Sequence, residues 1–356
     1  MTTSSIRPGD TPALGVVAGH SVALHFGDIA AEYQALRHRA MLVDRSARGR
    51  LRLDGPRAAE LMTGLVTGDV LALESGQGLY AAALNPKGKI VADVRILAHD
   101  GHLAIDVPPR AWPGWMVMVA KFINPRLAAY TDESTAVRTI GIYGVAARRI
   151  VAALSGIAPD DLGALAMYSH RAAEIAGRPV VIARMPEIGL EGYEIFLPAE
   201  AFGVVWQRSV AAGAIPTGLI AWEIARIEAG RPEWGLDIDE GTIPQEANFD
   251  ELHAISYTKG CYVGQEVVAR VHFRGHVNRH LRGLIAGQSE APPSKAAVLD
   301  QAGKQVGEVR SSALSPRHGA VALAMIRREV ETGAGVRLQW DGVELPAQVV
   351  SLPFPS

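Results

Sequence analysis

Apolar and polar positions alternate with two different periods along this chain, and the switches between those periods mark its elements. Ala30 to Ala40 (AAEYQALRHRA) has helical spacing, and Arg50 to Gly55 then alternates as a strand running into a turn. Pro56 to Leu65 reads as a helix with the proline in its first turn. Gly76 to Leu84 and Ile90 to Leu97 read as strands joined through Asn85-Pro86-Lys87-Gly88. In the second of these, Ile90, Ala92, Val94 and Ile96 share one face while Val91, Asp93 and Arg95 share the other, so Asp93 points away from the apolar side. Leu103 to Val107 continues as a strand and Pro113 to Phe122 as an apolar helix, a mixture that predicts an α+β unit.

A second group of strands follows at Val137 to Tyr143, Pro179 to Met185 and Tyr193 to Leu197, with helices at Ala199 to Ala212 and Gly218 to Ala229. Gly230 and Pro232 stop the last of them. Beyond Arg282 the pattern changes to short β-rich runs separated by Ala302-Gly303, by Pro316 to Gly319 and by Asp341-Gly342, the hairpins of an all-β module. Residues before Val22 are rich in Thr, Ser, Pro and Gly, which predicts a loose arm.

Length changes this picture little: 356 residues exceed what a single core sustains. With a net charge of -2 there is no global basic field to gather nucleic acid, so any RNA contact has to be local. The one cysteine, Cys261, excludes an internal disulfide and leaves no thiol pair for a cluster or structural zinc within one chain. That points to a reducing compartment. The opening residues lack the features of a signal peptide, and no run reaches the roughly 18 apolar residues of a membrane span, so the expected location is cytoplasmic.

Four stretches can carry chemistry. Within Tyr80 to Asp93, Asn85, Lys87 and Asp93 present an amide, a cation and a carboxylate near one hairpin, a set that can grip a heterocycle; a surface turn followed by a solvated aspartate is the alternative. Glu187 to Glu194 (EIGLEGYE) sets glycines around Leu190-Glu191 and offers Tyr193 as a ring to stack on a flat ligand, although a hairpin turn also explains it. In Trp222 to Gly235, Arg226 can neutralise Glu223 one helical turn away, as in any salt-bridged helix. The last stretch, Lys259-Gly260-Cys261-Tyr262-Val263-Gly264-Gln265-Glu266 and on to Arg270, places the lone thiol at a loop-to-helix junction. There Lys259 and the helix dipole favour a thiolate.

The string KGCYVGQEVVAR, followed by RGHVNR, resembles the signature of the YgfZ family of folate-binding proteins. The wider order of EYQALRHRAMLVDRS, LRLDGPRAAELMTGLVTGDV, LNPKGKIVAD and RIEAGRPEWGLDID resembles the glycine-cleavage T-protein (GcvT, aminomethyltransferase) superfamily over nearly the whole chain. The resemblance implies a three-domain cloverleaf with a ferredoxin-like part and a C-terminal β-barrel. It divides the chain into an arm at 1–20, a folate-binding region of two interleaved α+β subdomains at 21–278, and a barrel at 279–356. Tetrahydrofolate or a one-carbon derivative is the implied cofactor, with Asp93 and Cys261 as acting groups and Tyr80, Asn85, Glu191, Tyr193 and Arg226 around the folate; Arg226 or Arg231 would hold its glutamate tail.

Two departures from the T-protein pattern bear on activity. Lys89 replaces the second glycine of the hairpin and Ala92-Asp93 replaces an aspartate pair, while Leu190 stands where that pattern has a pterin-contacting glutamate. These move the expected function toward a YgfZ-like protein supporting iron–sulfur cluster assembly or repair. Its partners would be transient iron–sulfur client or assembly proteins, its effect on tRNA modification would be indirect, and no membrane would be involved. A folate-dependent aminomethyltransferase or demethylase is the alternative.

Overall fold

The structure, a computed structural model, describes residues 11–287 and 290–355. These divide into two units: one takes the chain up to Leu84, Val91–Trp222 and Ala254–Val263, the other Asn85–Ile90, Glu223–His253 and Gly264 onward. The first unit opens with β1 (Ala13–Val17) and β2 (His20–His25), an antiparallel hairpin turned at Ala18-Gly19, where both φ angles are positive. Residues 13–20 are therefore not the loose arm that composition predicts, because their glycine and small residues build a tight turn between two short strands. The first ten residues of that arm lie outside the described residues.

Next come α1 (Ile29–His38), β3 (Met41–Asp44), β4 (Gly49–Asp54), α2 (Ala58–Thr63), β5 (Gly78–Leu84), β6 (Ile90–His99) and β7 (His102–Val107). They are followed by α3 (Trp112–Phe122), β8 (Ala129–Asp132), β9 (Val137–Tyr143), α4 (Ala147–Ser155), α5 (Pro159–Gly163), β10 (His170–Ile175) and β11 (Arg178–Arg184). β12 (Gly192–Pro198), α6 (Phe202–Ala211) and β13 (Ile215–Pro216) complete the run, and α7 (Leu219–Glu228) begins in this unit and continues into the second from Glu223. Asp28 caps α1 by accepting from the Ala31 amide at 3.0 Å. Pro56 stands just outside α2, where Arg57 takes the capping position.

The strands form two sheets, ordered β10-β11-β12-β9-β3-β13 and β5-β6-β7-β4-β8. Tyr193, Ile195 and Leu197 of β12 join Ile140, Ile142, Ile150 and Val205 in the core of the six-stranded sheet, under α4 and α6. The other face of β12 carries Glu194. In the five-stranded sheet β6 is buried along both faces, so its polar face, Asp93 and Arg95, lies inside the protein at 5% and 1% exposure.

In the second unit, α8 (Gln265–Arg274) precedes a closed barrel of β14 (Arg279–Ile285), β15 (Ala297–Leu299), β16 (Gln305–Ser315), β17 (Gly319–Arg327), β18 (Gly335–Trp340) and β19 (Val343–Val350), ordered β14-β17-β16-β15-β18-β19. This is the expected C-terminal barrel. Its β18–β19 hairpin turns at Asp341-Gly342, with φ of 44° and 79°, the left-handed pair that a two-residue turn demands.

Candidate active site

Asp93 sits on β6, between β5 and β7, and its Oδ2 accepts a hydrogen bond from the Tyr80 hydroxyl on β5 at 3.1 Å. The Tyr80 ring stacks on Tyr168, with centroids 6.1 Å apart and planes 17° apart, and both rings are buried. Tyr168 adopts φ of 64°, a conformation that bulky side chains rarely hold unless their surroundings over-determine it. A buried carboxylate, a phenol and two aromatic rings thus meet at one place. The solvated-aspartate reading is overturned, because β6 is covered on both faces.

Beside Asp93 on the same face, Arg95 lies directly across from Asp106 on β7, and Asp106 lies directly across from Arg50 on β4. This cross-strand row of opposite charges is extended by Arg48, which also donates to Asp106. Arg95 donates to Asp106 at 2.6 and 2.9 Å and grips Glu194 of the other sheet with both terminal nitrogens, at 2.8 and 2.9 Å. The Tyr143 hydroxyl adds a third bond to Glu194 at 2.6 Å. Gly141 and Gly192 make room for that tyrosine: a Cβ on either would meet its ring at 2.3 or 2.2 Å. Burial works against these charges, but the three guanidiniums hold the Asp106 carboxyl well below the usual carboxylate range. Burial pulls Arg50 down to about 10, against the pull of Asp106.

Two residues past Tyr168, His170 Nε2 lies 3.3 Å from His99 Nδ1, and His99 stacks flat on His102 at 4.5 Å. Burial, followed by the other imidazoles and Arg52, lowers His99 to about 3; burial and His102 lower His170 to about 4. An unfolded chain protonates both near 6.5, so it binds more protons than the native state between that value and about 4. Stability contributed by the neutral pair is full above pH 6.5 and falls as pH drops through this window. Urea midpoints measured from pH 7.5 to 5 should decline in the wild type and decline less in a His99→Gln/His170→Gln variant. Equal slopes would remove the imidazoles as the cause.

Several residues expected at a folate site have other duties. Tyr193 is fully buried in the sheet core and its hydroxyl donates to Glu191 at 2.8 Å, so its ring cannot stack on a ligand. Strand alternation is the reason: Tyr193 falls on the apolar face of β12 and its neighbour Glu194 on the charged one. Glu191 is held by Arg148 at 2.7 Å as well as by Tyr193. Arg226, in the second unit, spends all five N–H donors on Glu223, Asp237, Ser311 and the Arg231 carbonyl. It is not available to a glutamate tail. The Asn85 side-chain oxygen accepts from the Lys87 and Lys89 amides at 2.9 and 3.1 Å, closing its own turn, and Lys89 Nζ donates to the Gly241 carbonyl at 2.8 Å.

The stretch around Cys261 is also structural. Lys259 Nζ donates to the carbonyls of Thr63, Val66 and Gly68, where α2 ends, and lies 4.6 Å from the Tyr262 ring centroid. An ammonium there satisfies helix-end carbonyls that have no intrahelical partner. Its three protons are spent, so it does not serve the thiol; Cys261 is free and exposed. Gly264, at φ of 82°, precedes α8, and Glu266 in the first turn suits the positive end of its dipole. Gln265 and the exposed Arg270 belong to the same helix.

Residues 12–256 match the GCVT N-terminal domain, and residues 279–355 match the Glycine cleavage T-protein C-terminal barrel domain. The chain belongs to the glycine cleavage T-protein family. An aminomethyltransferase of Thermosynechococcus vestitus is 34% identical over 339 residues, covering 93% of this chain and 89% of the relative. One from a Nostoc species is 30% identical over 352 residues, covering 94% and 90%. The crystal structure of the glycine cleavage system aminomethyltransferase T from Bartonella henselae shares the fold, with a TM-score of 0.87 at 21% identity over 97% of this chain and 95% of that one.

For this member of the T-protein family the YgfZ reading is corrected. Its relatives over most of the chain are named aminomethyltransferases, and the string that suggested YgfZ holds a helix end through Lys259. The iron–sulfur role, its client proteins and the indirect link to tRNA modification fall with it. Among the described residues, no helix is long and apolar enough to cross a membrane. Tyr168, Arg95, Asp106, Tyr143 and Glu194 were not among the expected site residues. The signal for three of them was a charge inside an apolar strand: Arg95 in VADVRILA, Asp106 in LAIDV and Glu194 in GYEIFL.

Proposed function

We propose that this chain is a tetrahydrofolate-dependent aminomethyltransferase, with Asp93 as the acting carboxylate. The observation that carries the reading is the buried Asp93 with Tyr80 on its oxygen and Tyr168 stacked behind, in a chain whose relatives are named aminomethyltransferases. The donor set fits a reduced pterin: a carboxylate and a phenol for its N–H groups, and aromatic faces for its flat ring. Bound folate supplies the nucleophilic nitrogen that takes up the one-carbon unit. Taking up that unit would break the donor carbon's bonds to its carrier and to the amine and free one proton from each of the two folate nitrogens that come to bridge it. The protons leave with the released carrier and with ammonia, and the one on the attacking nitrogen would pass through a base. Asp93 stands to orient that nitrogen and accept the proton, and burial strengthens its electrostatic effect.

The test is formation of methylene-tetrahydrofolate and release of ammonia by the purified protein given tetrahydrofolate and an aminomethyl donor. Stoichiometric production of both supports the reading. No product, together with no heat of binding for tetrahydrofolate, would sink it.

A further inference from the structure

Tyr168 is held in its left-handed conformation by a set of contacts that converge on the next two residues. Its amide donates to the Arg184 carbonyl at 2.8 Å, and the Arg184 amide returns to the Ser169 carbonyl at 2.9 Å. The Arg184 guanidinium reaches back to the carbonyls of Gly163 and Leu165. The His170 amide then donates to Gly76, whose own amide donates to Ala98 of β6, both at 2.8 Å. His170 is thus the residue through which the strained turn is tied to the strand that carries Asp93.

Its side chain makes the same link a second time. The ring nitrogens of His170 and His99 lie 3.3 Å apart, their centroids 4.2 Å apart, and His99 is on β6, the strand of Asp93. Two neutral imidazoles complement each other here, one donating and the other accepting. Charging His99 would set a cation against His170, His102 and Arg52, and charging His170 would set one against His102. β6 therefore carries both ends of a closed circuit: His99 to His170, on to Tyr168, across to Tyr80, and back to Asp93.

We propose that His170 is a positioning residue for Asp93, acting through Tyr168 and Tyr80. The inference rests on Asp93 being the acting carboxylate. A strained residue relaxes when what over-determines it is removed. Once Tyr168 leaves left-handed φ, its ring no longer backs Tyr80, and the Tyr80 hydroxyl loses its fixed place on Asp93. A shift of this kind lowers the rate of the chemical step more than it weakens substrate binding.

The full chain carrying His170→Ala, His170→Gln, His99→Ala or Asp93→Asn is to be compared with wild type by steady-state kinetics with tetrahydrofolate. Amide hydrogen exchange of residues 166–170 and 78–84, read by mass spectrometry, runs alongside. His170→Ala should lower kcat about 10- to 100-fold, leave KM for tetrahydrofolate within about threefold and speed exchange in both segments. His170→Gln, whose amide can reach His99, should recover most of both losses. Unchanged exchange in His170→Ala overturns the proposal, and so does lost kcat without faster exchange at 166–170. If His170→Ala does not fold, His99→Ala decides: faster exchange at 166–170 with lower kcat supports the link, and neither change overturns it. An Asp93→Asn variant at full activity would instead overturn the role of Asp93, while exchange still reports whether His170 holds Tyr168.

Discussion

Replacing Asp93 with Asn should lower kcat for methylene-tetrahydrofolate formation by about 10²- to 10⁴-fold, the range a positioned base contributes. The amide is nearly the same size and can still accept from the Tyr80 hydroxyl, so β6 keeps its packing and the melting temperature should hardly move. What is lost is the capacity to take a proton and the negative charge beside a developing cation. Tyr80→Phe separates the two parts of the arrangement. It keeps the ring that stacks on Tyr168 and removes only the hydroxyl bond to Asp93, so its loss should be smaller, about tenfold, the equivalent of one hydrogen bond to a charged group. A pH profile of kcat/KM adds an independent check, because its acid limb should vanish in Asp93→Asn if the carboxylate must be ionised. Activity within about threefold of wild type in that variant would take Asp93 out of the chemistry.

Much of the frame that places this carboxylate was legible in the chain. Alternation in β6 put Asp93 and Arg95 on one face, and β12 alternates so that Tyr193 and Glu194 cannot share an environment. The barrel announced itself through turn chemistry, above all at Asp341-Gly342. Which face of β6 meets solvent was not legible, because periodicity reports the sides of a strand and not what covers them. The partners of Arg95 lie 11 and 99 positions away, and those of Lys259 more than 190 positions away. Sheet register brings them together, and register is a property of the whole fold. Arg226 illustrates the opposite error: spacing identified its bond to Glu223, but the acceptors Asp237 and Ser311, which exhaust the guanidinium, come from a loop and a barrel strand. Around Cys261, an unusual local composition read as reactivity reflects the need for one ammonium to satisfy three carbonyls. Tyr168 had no sequence signal at all, since its importance lies in a backbone angle imposed by tertiary contacts.

The largest effect on stability should come from Arg95. Its guanidinium is 1% exposed, serves Asp106 within the five-stranded sheet and Glu194 in the six-stranded one, and so joins the two sheets of the first unit. Arg95→Met fills similar volume but leaves Glu194 at 0% exposure without its bidentate partner, its charge offset by the Tyr143 hydroxyl, by Arg45 3.7 Å away and by the field of Arg50. Breaking a buried pair in this way costs about 3–5 kcal/mol, a large share of the roughly 5–15 kcal/mol that holds a domain folded. Arg95→Lys keeps the charge but cannot present the paired donors that grip both carboxylates, so it should fall between Met and wild type. The decisive comparison is Arg95→Met/Glu194→Gln, which removes the orphaned charge together with its partner. Urea unfolding should show this double variant more stable than Arg95→Met alone, a coupling that independent sites do not give. Acid adds a second signature. Asp106 is held below its unfolded pKa of 3.8, so the stability it contributes is complete above that value and is lost as pH falls further. Arg95→Met should weaken this acid-side loss, because one of the three guanidiniums that depress Asp106 is gone. A cost below about 1 kcal/mol for Arg95→Met, the size of an exposed pair, would show that the two sheets do not depend on this guanidinium.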